Sequence, residues 1–324
     1  MNLRLCLATV LFAVSAFAGL DTARADILLA GFAADSVVRY DSSGGLVGVF
    51  ASHATMDGPT AMVYNSAGDL LVLNEFSHNV LRFNGTTGAF LGTLIAPAAL
   101  GSVGLTDPAD MEIGLDGHLY LTSHFNTGAN IWKYDQLTGA YLGAFAYSPP
   151  THHTHGFAMG PAGDWFHGHV DFSLVERFDG VTGSYEGVFT SGGGVFPIAD
   201  MVFGPGVLYV TVDGSGGVAK FSAVSGAFMG YLIAPGPFQS YWGTMVNGGL
   251  LYVSNTATGT VKRFDATTGA FVDDFIVGGP GAFDLLAMTA IPEPATVVPL
   301  SLGLLMAATI LVINRRRHVR QTAS

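Results

Sequence analysis

The chain has 324 residues, 44 of them glycine, with 11% charged residues and a formal net charge of −11. Between Asp26 and Ile291 there are 7 Lys or Arg against 22 Asp or Glu, about −15 by formal counting, so no basic patch is left for a nucleic-acid partner. The single cysteine, Cys6, excludes a disulfide framework, and abundant glycine with sparse charge suits many short strands joined by tight turns.

The first element predicted is a signal peptide over residues 1–25. Arg4 followed by the apolar run Leu5 to Phe17 has the charged start and short hydrophobic centre of an export signal. Small residues suited to cleavage stand at Ala16-Phe17-Ala18 and at Ala23-Arg24-Ala25, and the second site leaves Asp26 as the mature N-terminus.

From there a repeat organises the chain. A basic residue, an aromatic and a turn recur at Arg39-Tyr40-Asp41, Arg82-Phe83-Asn84, Lys133-Tyr134-Asp135, Arg177-Phe178-Asp179, Lys220-Phe221-Ser222 and Arg263-Phe264-Asp265, with steps between aromatics of 43, 51, 44, 43 and 43 residues. A period in the forties is the length of one four-stranded propeller blade. In the second repeat the strands read as Thr60 to Tyr64, Leu70 to Asn74, Asn79 to Asn84 and Ala89 to Leu94. The Asp-x-x-Thr-Gly spacing fits a tight hairpin with its glycine in the left-handed region, so the motif reads as turn chemistry.

An innermost strand precedes each of the last five repeats, marked by Ala61-Met62, Asp110-Met111, Gly156-Phe157, Asp200-Met201 and Thr244-Met245, and a sixth, Leu285-Leu286, follows the last repeat. The first repeat lacks its own. The predicted fold is therefore an all-β, six-bladed propeller over residues 26–291, closed by a C-terminal strand near Asp284 to Met288 that completes the N-terminal blade. Gly58-Pro59-Thr60-Ala61-Met62-Val63 and Gly68-Asp69-Leu70-Leu71-Val72-Leu73 resemble the blades of NHL-type and gluconolactonase-like propellers. Propellers of that kind include lactonases, lyases and pure interaction domains, so fold does not select function.

Loops entering the innermost strands and loops between second and third strands open on one face, which puts eight of the ten histidines there. The densest group lies in the fourth repeat, where His155, His167, His169 and Asp171 are candidate ligands for a divalent metal such as zinc; exposed loop histidines without a ligand are the alternative. A second constellation is Asp110, Asp200 and Asp284, aligned at the channel mouth, which either attract calcium or accept hydrogen bonds from local backbone. The gluconolactonase resemblance implies a Glu, Asn and Asp metal set, for which Glu75, Asn130 and Asp200 or Asp213 are available without a motif that pins them. Tyr147, Trp165, Phe172, Phe196, Phe238, Tyr241 and Trp242 offer aromatic faces for sugar rings or for packing beneath their loops. No Gly-x-Ser-x-Gly elbow, phosphate loop or cysteine nucleophile is present, and no catalytic residue is assigned.

The last element is a tail over residues 292–324. Pro292-Glu293-Pro294 precedes a mostly apolar stretch over 295–313, long enough for a transmembrane helix, and a basic cluster over 315–320 containing Arg315, Arg316 and Arg317. In order and spacing this resembles the PEP-CTERM sorting signal of Gram-negative bacteria. The resemblance implies an exosortase-type processing partner, membrane anchoring before sorting, and delivery to the cell surface or an exopolysaccharide matrix. The expected function is a surface or matrix binding scaffold; the alternative is a metal-dependent, lactonase-like hydrolase or lyase.

Overall fold

Short apolar runs alternating with glycine- and aspartate-rich turns fold into six antiparallel sheets of four strands each. The structure is a computed structural model that describes residues 25–124, 130–147, 154–172, 174–191, 193, 197–214, 217–237, 240–278 and 285–292. Residues 1–24 of the expected signal peptide, Asp284, and the residues from Glu293 onward, including Pro294, Arg315, Arg316 and Arg317, lie outside the described residues. Among the described residues no helix is long and apolar enough to cross a membrane.

From channel to rim, blade 1 is Leu285–Ala290, Ile27–Gly31, Ser36–Tyr40 and Leu46–Ser52, and blade 2 is Pro59–Tyr64, Asp69–Asn74, Asn79–Asn84 and Phe90–Ile95. Blade 3 is Pro108–Ile113, His118–Ser123, Ile131–Asp135 and Tyr141–Ala146, and blade 4 is Thr154–Met159, Trp165–His169, Leu174–Phe178 and Tyr185–Ser191. Blade 5 is Ile198–Gly204, Val207–Val212, Val218–Ser222 and Phe228–Ile233, and blade 6 is Tyr241–Asn247, Leu250–Asn255, Thr260–Asp265 and Phe271–Val277. The expected closure is present: the C-terminal strand pairs antiparallel with the N-terminal one, Ile27 opposite Ala290 and Leu29 opposite Met288.

Burial follows position in the blade. Second strands are buried along nearly their whole length, as in Val207–Val212, because a neighbouring blade covers each face. Outer strands are exposed over most of theirs, as in Phe90–Ile95. The six core clusters occupy the six spaces between adjacent blades: Leu73 and Trp132 between blades 2 and 3, for example, and Tyr120, Phe157, Trp165 and Phe178 between blades 3 and 4. Each fully buried side chain of this size contributes about 1.5–3 kcal/mol, so stability resides in stacking rather than in single sheets.

The 51-residue step has a local cause. Between blades 2 and 3 the chain adds a short helix, α1 (Pro97–Ser102), opened by proline at its start. Leu100 and Leu105 anchor the insertion in the core, and Trp132 Nε1 donates to the Val103 carbonyl at 3.1 Å.

The repeated motif does two jobs. In blade 6, Asp265 Oδ1 accepts from the backbone N–H of Thr267 (3.1 Å) and Thr268 (2.7 Å) and from the Thr268 hydroxyl (2.8 Å), the expected turn chemistry. The turn glycine also docks the hairpin on the preceding blade. Gly183 in blade 4 has φ +71°, and a Cβ there would collide with the carbonyl of Phe145 in the outer strand of blade 3. Gly44, Gly88, Gly139 and Gly226 meet outer-strand carbonyls of their preceding blades in the same way. In blades 1 and 4 the basic residue of the motif pairs with an acid at the start of the second strand, Arg39–Asp26 and Arg177–Asp164, whereas in blade 6 Arg263 pairs with Asp273 of the outer strand. Such half-exposed pairs are worth at most about 1 kcal/mol each.

Candidate functional site

The six innermost strands surround a central cavity of ≈ 270 Å³. An innermost strand is a sheet edge, so alternate N–H groups face the channel with no strand to receive them. In three places a carboxylate of the preceding blade receives them. Asp110 of blade 3 accepts from Phe157 N in blade 4 at 3.1 Å and from its own neighbour Met111 N at 2.7 Å. Glu112 accepts from Met159 N at 2.7 Å. Asp200 of blade 5 accepts from Thr244 N at 2.6 Å and its hydroxyl at 2.8 Å in blade 6, and from Met201 N at 2.7 Å.

These half-buried carboxyls line the channel. Burial pushes Glu112 and Asp200 up to about 7. Burial first, and then the nearby Asp200, raises Asp110 well above the usual carboxylate range. Asp110 and Asp200 thus accept backbone hydrogen bonds across blades as well as locally. The methionines beside them, Met111 and Met201, are buried members of the core clusters.

Above this cavity a contiguous arc of side chains crosses the mouth. Glu75, in the turn after the second strand of blade 2, has Oε2 3.5 Å from Nε2 of His124, which follows the second strand of blade 3. The His124 ring meets that of His155, at the start of blade 4, edge to face at 3.9 Å. His155 in turn meets Trp242 of blade 6 at 5.2 Å. Trp242 Nε1 donates to Asp213 Oδ1 in blade 5 and to Ser240 Oγ, both at 3.0 Å, while Ser240 donates to Asp213 at 2.5 Å. Five blades therefore contribute to one surface, through the segments that follow second strands and the first residues of innermost strands. His124 Nε2 is buried with no hydrogen bond.

The fourth-blade histidines divide between two places. Gly156, with φ +39°, sits at a register shift between His155 and Phe157, and His155 lines the channel. His167 and His169 instead lie on the second strand, facing blade 3 with Trp165, and are 0% and 1% exposed. Glu176 on the third strand stands opposite His167 in register, and His169 Nε2 is 3.0 Å from Glu176 Oε2. Ligand atoms of His167, His169 and Glu176 all lie within 4.8 Å of one another, the one such His, Cys, Asp or Glu group among the described residues. Burial, reinforced by the neighbouring His169, pushes His167 down to about 3, so its imidazole is neutral at pH 7. Asp171 is exposed in the following loop and is not in this group.

Two members of the set implied by the gluconolactonase resemblance already have hydrogen-bond partners. Asp200 is engaged by Thr244, and Asp213 by Trp242 and Ser240. Of the aromatics, Trp165 and Tyr241 are core residues, Tyr147 and Phe172 are exposed, and Phe196 and Phe238 lie outside the described residues. The sequence reading missed Glu112, Glu176 and Ser240. Glu112 lies two residues after Asp110 on the same strand face, a spacing that signalled it; Glu176 is signalled by repeat alignment, since Leu81 and Trp132 fill its position in blades 2 and 3.

No protein-family model matches the chain, and no curated protein matches it. Among solved structures, a chain of the nidogen/laminin complex is similar at TM-score 0.64 with 12% identity, covering 82% of this chain and 98% of that one. A streptogramin B lyase is similar at TM-score 0.58 with 13% identity, covering 81% and 83%. A proposed gluconolactonase is similar at TM-score 0.55 with 12% identity, covering 72% and 82%. At these identities the likeness is one of fold, and it places the chain among the six-bladed β-propellers.

Proposed function

We propose that this is an exported surface or matrix protein that binds a neutral carbohydrate at the channel mouth. The observation that carries the reading is the arc Glu75–His124–His155–Trp242–Asp213, in which two imidazoles and an indole stand between two carboxylates. Ring faces stack on the C–H faces of sugars, and carboxylates accept from their hydroxyls. The acidic domain disfavours polyanionic glycans. The tail supports an extracellular address through its resemblance to a PEP-CTERM signal, with an exosortase-type enzyme as the processing partner.

A second reading is a lyase or lactone hydrolase, favoured by the Glu75–His124 pair, in which a carboxylate stands beside an imidazole whose Nε2 lacks a hydrogen bond. The fold likeness to a streptogramin B lyase and a proposed gluconolactonase is compatible with it. One experiment separates the two. The domain 26–291 is screened against a panel of neutral and acidic oligosaccharides for binding, and against aldonolactones and a streptogramin B for turnover. Binding of a neutral glycan, weakened at least ~10-fold by Trp242→Ala, supports the first reading. Turnover lost in His124→Ala supports the second, and neither result refutes both.

A further inference from the structure

We propose that blade 4 holds a borderline divalent cation of the zinc class on His167, His169 and Glu176, a site separate from the channel mouth and independent of the function assigned to it.

The six blades supply an internal comparison. The residue pair two positions in from the motif aromatic is Leu29 opposite Val38 in blade 1, Val72 opposite Leu81 in blade 2 and Leu121 opposite Trp132 in blade 3. It is Val210 opposite Ala219 in blade 5 and Val253 opposite Lys262 in blade 6. In blade 4 it is His167 opposite Glu176. A position that is aliphatic in five blades is thus histidine in the sixth, with a carboxylate directly across from it.

Apolar neighbours give this arrangement no other purpose. His167 is 0% exposed and both its ring nitrogens lack a hydrogen-bond partner. The rings around it are His169, Phe157 and Phe178, with centroids 5.9, 6.4 and 6.5 Å away. Burying an imidazole with no partner is unfavourable relative to the aliphatic residue found in the other blades. A metal ion removes that penalty by accepting a lone pair.

The geometry suits such an ion. Residues 167 and 169 project from the same face of one strand, and 176 projects from the same face of its neighbour, so three donors converge without a loop. Tetrahedral bonds of about 2.0–2.1 Å put ligand atoms roughly 3.3 Å apart. His169 Nε2 and Glu176 Oε2 stand at 3.0 Å, and the His167 donor lies within 4.8 Å of both. Two imidazoles and one carboxylate are borderline ligands that favour zinc over calcium or magnesium, with a water in the fourth position. Placed between the second and third strands, the ion would lock the middle of blade 4.

The full-length chain, purified, stripped with chelator and dialysed, is titrated with zinc alone against a chromophoric indicator, and with cobalt for its visible absorption. One equivalent of zinc with a raised Tm, and intense tetrahedral cobalt bands, are expected. His167→Val, which restores the residue of blades 2, 5 and 6 and so preserves folding, is expected to weaken binding at least ~100-fold, as is Glu176→Gln. His155→Ala is expected to bind as the parent does. Absence of stoichiometric zinc on the parent, or binding unchanged in both His167→Val and Glu176→Gln, would overturn the proposal.

Discussion

Asp200 in blade 5 receives both the backbone N–H and the hydroxyl of Thr244 in blade 6, at 2.6 and 2.8 Å, so one side chain closes the exposed edge of its neighbour's sheet. Asp110 and Glu112 do the same between blades 3 and 4. The channel is thereby stitched by carboxylates, where apolar packing alone would leave edge N–H groups unpaired.

Removing one stitch tests this. Asp200→Ala strands the N–H groups of Met201 and Thr244 and is expected to destabilise by about 1–3 kcal/mol, while Thr244→Val, which loses only the hydroxyl, is expected to lose about 0.5–1.5 kcal/mol. Urea unfolding of parent and variants measures both, and parental stability in Asp200→Ala would contradict the clasp.

Stability should also depend on pH through Glu112, raised from 4.5 to about 7 chiefly by burial. The folded state favours its protonated form. That contribution is complete below about pH 4.5, falls as pH rises towards 7, and is constant above. Glu112→Gln stays neutral and keeps an acceptor for Met159 N–H. The stability of the parent relative to this variant should therefore drop by about 2–3 kcal/mol between pH 5 and pH 8. Asp110 and Asp200 titrate in both proteins, as does His167, whose lowered pKa gives the opposite slope. A difference that is flat in chemical denaturation at pH 5, 6.5 and 8 would show that Glu112 is not held protonated.

Two glycines separate turn strain from blade docking. Gly68 has φ +80° with open space around its absent Cβ, so Gly68→Ala should cost only the left-handed penalty, about 1–2 kcal/mol. Gly183 combines φ +71° with the Phe145 carbonyl of the preceding blade. Gly183→Ala should cost at least ~3 kcal/mol, because the hairpin must lift from its neighbour as well. Equal Tm losses would mean that the hairpin contact carries no energy.

The closing strand is the fourth test. A chain ending at Ile291 keeps Leu285–Ala290 against Ile27–Gly31, whereas one ending at Gly278 exposes the Ile27–Gly31 edge. The first should be monomeric with a cooperative transition, and the second should aggregate or unfold. Light scattering and thermal denaturation of the two truncations decide it.

Period, blade number and closure were legible because they depend on spacing and local alternation alone. The second-blade strands expected from the sequence differ from the observed ones by at most one residue at each end. What depended on neighbouring blades was not legible. The Asp-Thr-Gly hairpin reads as a turn from its own residues, and its contact with the Phe145 carbonyl arises only once blades are stacked. Asp110 and Asp200 were visible as a recurring pair, but their acceptors' partners lie 47 and 44 residues away. His155 was grouped with His167 and His169 by proximity along the chain; the register shift at Gly156 sends it to the channel.

Blade 1 sets the order of events in folding. Its innermost strand is the last to leave the ribosome and its second strand the first, separated by about 260 residues, whereas every other strand pair waits only for a hairpin turn or a short loop. Blades 2 to 6 can therefore form as synthesis or translocation proceeds, but the ring has no native end state until Leu285–Ala290 has emerged. The velcro is a proofreading step by timing: a chain cut short anywhere before that strand retains an open edge and stays a target for proteolysis, so completed propellers alone persist.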